Sequence, residues 1–86
     1  MFDAERMISN LDCVFGFYEN GDLDSAETFF NAECRPSFGD MAKTEGEKAD
    51  AIMEYFLRLD EILRGDQGTS ATDVKEARDD AHKLPG

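Results

Sequence analysis

Asn20, Asp22 and Asp24 stand at alternate positions of the segment ENGDLDSAE, the spacing of the first three ligands of a calcium-binding loop. Such a loop also needs a glycine at its sixth position and a bidentate acid at its last, and here those positions hold Ser25 and Asn31. Helix capping accounts for every one of these residues, so no metal is expected there. Cys13 and Cys34, the only cysteines, lack the spacing and the histidine partner of a zinc site. With no basic then apolar leader in the opening MFDAERM, two free thiols are expected in a cytoplasmic protein, with Cys34 offset from Cys13 by roughly 7 Å along a folded hairpin. A catalytic nucleophile needs a base within hydrogen-bond reach and donors for the developing charge, and the sequence offers no such set. Abundant Asp and Glu make chance carboxylate pairs certain, and there is no glycine-rich phosphate loop. The expectation is a protein that is not an enzyme and holds no cofactor.

Binding chemistry is better represented. Twenty Asp and Glu against nine Lys and Arg give a net charge of −11, which repels nucleic acid and anionic membrane and attracts basic protein surfaces. The charge is uneven: residues 1–34 hold eight acids and one base, Arg6, net −7, whereas residues 35–86 hold twelve acids and eight bases, net −4. Glu5, Asp12 and Glu19 recur every seven residues on one helix edge, and Asp22, Asp24 and Glu27 follow at the next turn and helix. These six carboxylates are the expected partner-binding residues. The expected partner is a basic surface, such as that of a nucleic-acid-binding protein, with no direct nucleic-acid or membrane contact.

The elements that must position them read as helices. Ala4, Met7, Ile8, Leu11, Val14, Phe15 and Tyr18 fall within about 120° of a helix surface, with Asp3 as N-cap. Cys13 and Phe17 fall on a further face, to be covered by a third helix or a second copy, and Gly16 suggests close helix approach. Asn20-Gly21 ends the helix, and Asp22, or Asp24 with Glu27 at capping-box spacing, starts the next. Residues 36–43 read as a loop pinned by Phe38 and Met41, and Thr44 with Glu47 makes a capping box for a helix over 44–64. Its stripe of Ala49, Ile52, Met53, Phe56, Leu59 and Leu63 widens with Tyr55 and Ile62 to an arc of about 200°, which predicts a homodimer.

The fold class is therefore all-α, a small three- to four-helix bundle built on an N-terminal helical hairpin of residues 3–19 and 22–35. The chain divides into a helical bundle domain over residues 1–65 and a weakly helical or frayed tail over residues 66–86, whose removal should leave the fold nearly intact. The tail ends at Pro85 and Gly86 and carries His82 as a solvent-exposed side chain.

Three short strings resemble known families. Gly21, Asp22, Ala26 and Phe30 resemble the turn and second helix of a tetratricopeptide repeat, but Glu33 stands where that family has a small residue, and no second copy follows. The same segment is similar to the opening of polyketide-cyclase-like α+β folds, without the alternating strands that should come after it. AHKLPG at residues 81–86 resembles the histidine phosphotransfer string, with Pro85 in place of its lysine. A generic helical hairpin is preferred. By analogy of size and charge with anti-CRISPR proteins, nuclease immunity proteins and other DNA mimics, the leading functional expectation is an inhibitor that masks a basic surface. A helical adaptor docking by an apolar surface is the alternative.

Overall fold

The computed structural model describes residues 2–85, so Met1 and Gly86, the latter expected to end the tail, lie outside the described residues. The fold is an all-α bundle with no strand among those residues. Helix α1 (Ala4–Glu19) starts at Asp3, whose carboxylate accepts the Arg6 backbone N–H at 3.1 Å. Met7, Ile8, Leu11, Val14 and Phe15 are buried along it, the stripe that the spacing predicts. It ends at Asn20 and Gly21: Gly21 takes φ +79°, and the Asp22 N–H reaches back to the Phe17 carbonyl at 3.0 Å, the long closing bond of a left-handed helix cap.

Asp22, not Asp24, caps helix α2 (Leu23–Phe29) by accepting the Ser25 N–H at 3.1 Å. That hydrogen bonding, side-chain first, holds its carboxyl below the usual value. The expected single helix over 22–35 is broken in its winding. α2 opens into a wide π turn over Phe30–Cys34, tightens into a 3₁₀ turn over Arg35–Ser37, and resumes as the short α3 (Phe38–Ala42). Pro36 supplies the physical reason, because it has no N–H for the Ala32 carbonyl and its ring crowds that carbonyl in a regular α-helix. A wider turn before the proline relieves the clash while Phe30 and Cys34 stay buried. Residues 36–42 are thus helical, where a loop over 36–43 was expected. Both expected anchors act: Met41 is buried, and Phe38 packs against Phe56 with ring centroids 5.0 Å apart.

Helix α4 (Glu47–Leu63) begins at Gly46, not at Thr44. The Thr44 hydroxyl donates to the Asp40 carbonyl of α3, so the capping box expected with Glu47 does not form. The wide arc of α4 is filled from within. α1 packs on one side of it, and α5 (Ala71–Lys83) forms the most extensive helix pairing of the molecule on the other. Ala49, Ile52, Tyr55, Phe56, Leu59, Ile62 and Leu63 are all buried and only Met53 of the expected arc stays partly exposed, so little of that arc is left for a second copy to cover.

The end of the chain departs furthest from expectation. In place of a frayed or loosely docked segment, residues 71–83 form a helix with a full capping box: Ser70 accepts the Asp73 N–H, and Asp73 accepts the Ser70 N–H at 2.9 Å. Val74, Ala77 and Ala81 are buried at three- and four-residue steps. Their small size lets α5 lie close to α4. Lys48 of α4 donates to the Ala81 carbonyl, and Arg78 lies over the Phe15 ring at 5.6 Å. Close approach at Gly16, by contrast, is absent: a methyl group built there would meet nothing within 4 Å. No helix among the described residues is long and apolar enough to cross a membrane.

Candidate functional site

The six carboxylates singled out by the sequence do not share one surface. Asp12 is held on both oxygens: Oδ1 accepts the Tyr55 hydroxyl of α4 at 2.7 Å, and Oδ2 lies 2.7 Å from His82 Nε2 of α5. Tyr55 is fully buried, and desolvation first, then the Asp12 hydrogen bond, pushes its phenol far above the usual range. Asp12 therefore ties three helices together by satisfying a hydroxyl that would otherwise be orphaned in the core. His82 is half exposed, as expected, and the structure adds its contact with Asp12. Glu19 pairs with Lys75 of α5 at 3.6 Å. Glu5 is exposed and lines a groove with Ser9, Asp12, Lys48 and His82.

The acids of the turn and second helix divide again. Asp22 is the cap already described. Glu27 is exposed beside a hollow lined by Arg35, Asp60 and Arg64, in which both arginines pair with Asp60. Asp24, one turn before Glu27, lies at the rim of a different groove, open and of about 440 Å³, between α1 and the α2–π segment. Phe17, Phe29 and Ala32 supply its apolar lining, Ser25 and Thr28 its polar part, and Asp24 and Glu33 its charge. Phe17 and Phe29 meet with ring centroids 6.1 Å apart and remain partly exposed, so neither a third helix nor α5 covers the face that the sequence set apart. No Lys or Arg lines the groove, and among the described residues neither Asp24 nor Glu33 forms an ion pair.

Sequence reasoning missed Glu33, Phe29 and the Tyr55–Asp12–His82 chain. Glu33 carried a signal in its replacement of a small residue, yet its neighbourhood depends on the π turn, which re-phases the helix after Phe29. Tyr55 and His82 carried none, since they lie 43 and 70 residues from Asp12.

Chemically, the Tyr55–Asp12–His82 chain orients an imidazole, but among the described residues no hydroxyl or thiol is hydrogen-bonded to His82, so no activated nucleophile accompanies it. Cys34 is free and buried, its thiol pushed up to about 12 by desolvation first and by the neighbouring Glu33 and Cys13 next, which keeps it protonated and inert. Cys13 is free and exposed. The arrangement that remains open to a partner is the apolar groove with its two acids. Set against known proteins, the chain matches no family model, no curated protein and no solved structure.

Proposed function

We propose that the chain is a non-catalytic binding protein that engages a basic protein surface through the α2 side of the hairpin and masks that surface from nucleic acid. One observation carries this reading: Asp24 and Glu33 flank a solvent-open groove and form no ion pair among the described residues, Arg6 lining only the separate hollow on the far side of Glu33, whereas Asp12 is bonded by Tyr55 and His82 and Glu19 by Lys75. Unpaired carboxylates on a chain of net charge −11 project a negative field that steers Lys and Arg clusters toward them. Masking a surface that otherwise holds phosphate is the simplest use of such a field.

The six-residue edge of the sequence reading narrows accordingly. Asp12 and Asp22 are committed to the fold and Glu19 to Lys75, Glu5 and Glu27 stay exposed beside hollows that hold Lys48 and Arg35, and Asp24, with Glu33 added, borders the apolar groove. The test is to identify a partner by crosslinking in the source cell and to measure its association rate with the purified chain. The rate should fall about tenfold or more between low and high salt, and again in Asp24→Lys/Glu33→Lys. A partner whose association ignores both changes would replace this reading with that of an adaptor docking by apolar contact alone.

A further inference from the structure

We infer that the Phe17–Phe29 groove takes an amphipathic helix of the partner, its apolar stripe against Phe17, Phe29 and Ala32 and its Lys or Arg residues beside Asp24 and Glu33. This rests on the reading of the chain as a binder of basic surfaces and adds the form of the segment that binds.

The backbone decides the form. Every wall of the groove is helical, so no strand edge offers free N–H and C=O groups to an extended peptide. A helix satisfies its own backbone and needs only side-chain contacts, which are what this groove provides. Charge decides the occupant. A second copy would bring another Asp24 and Glu33 and another −11 to the same place, and two acidic rims repel. The chain's own last helix is seated on α4. A basic helix completes the groove in both respects: it covers two partly exposed phenylalanines and neutralises two carboxylates that form no ion pair among the described residues.

The experiment titrates the full chain with a labelled synthetic helix of about 15 residues, built from Leu and Lys with Leu at positions i, i+3, i+4 and i+7. A peptide of the same composition with the Leu stripe scrambled serves as comparison. The striped peptide should bind at least about tenfold more tightly than the scrambled one, and backbone amide shifts should move around Phe17 and Phe29. Ala32→Arg should weaken the striped peptide about tenfold, while Thr72→Arg, the same charge change on an exposed position of α5, should have a much smaller effect. Circular dichroism verifies that Ala32→Arg is folded, and Thr28→Arg, exposed in the same groove, takes its place if it is not. Equal, salt-sensitive binding of both peptides, untouched by Ala32→Arg, would overturn the groove while leaving the basic-partner reading intact. Failure of both peptides to bind at low salt would sink the two together. Concentration-dependent dimerisation abolished by Ala32→Arg would hand the groove to a second copy and overturn the proposal.

Discussion

Along one flank of α1, Asp12 and Glu19 meet His82 and Lys75 of α5, and Glu5 shares a groove with Lys48 of α4. Along the other, Phe17 meets α2, and the neighbouring Asp24 and Glu33 form no ion pair among the described residues. Both flanks belong to the half of the chain with one base among eight acids. What separates them is a helix contributed by the far end of the chain. α5 brings Lys75 and His82 to Glu19 and Asp12, leaving Glu5 exposed on the first flank, and does not reach the second, where Asp24 and Glu33 border the apolar groove. A count of local charge thus overstates the first flank and passes over the second, because ion pairs form across space and charge counts run along sequence.

The largest test of this contrast removes α5. Truncation after Gly68 should cost at least about 4 kcal/mol, since it uncovers the Tyr55 side of α4 and the Phe15 face together with the apolar groups of α5 itself. Thermal or urea unfolding measures it, and a truncated chain of nearly full stability would restore the picture of a dispensable tail. The next concerns the clasp. Asp12→Ala leaves the buried Tyr55 hydroxyl unpaired and should cost about 2 to 3 kcal/mol, more than the roughly 1 kcal/mol of Tyr55→Phe, which removes the hydroxyl as well. Equal costs would show that water replaces the carboxylate.

Capping comes third. Ser70→Ala should destabilise by about 1 kcal/mol. The Ser70 backbone N–H, foremost, holds the Asp73 carboxyl below its ordinary 3.8, so Asp73 stabilises the fold fully above that pH and its contribution is lost as pH falls through the lower folded value. Asp73→Ala should accordingly flatten the acid limb of a stability-against-pH curve relative to the parent. Gly16→Ala should stabilise by about 0.5 to 1 kcal/mol, because the position is mid-helix and nothing stands where the methyl goes. Smallest in stability is the open flank: Asp24→Lys/Glu33→Lys should change it by no more than about 0.5 kcal/mol, both groups being exposed and unpaired. A large loss there would mean that these acids serve the fold after all.

Local periodicity and capping chemistry determined α1, the Asn20-Gly21 turn, the start of α2 at an aspartate and the apolar stripe of α4. Each is set by residues within a turn or two of one another, where 3.6-residue spacing and a single side-chain hydrogen bond suffice. The chain also fixed its own acidity and the fact that Phe17 stands apart from the main stripe of α1. Tertiary structure alone decided that the last helix docks, that it packs against α4, and that Asp12 bonds Tyr55 and His82. The reason is that docking energy belongs to both surfaces. The buried residues of α5 are small, Val74, Ala77 and Ala81, but they pack against α4, and Arg78 lies over Phe15, partners that no inspection of residues 66–86 could count.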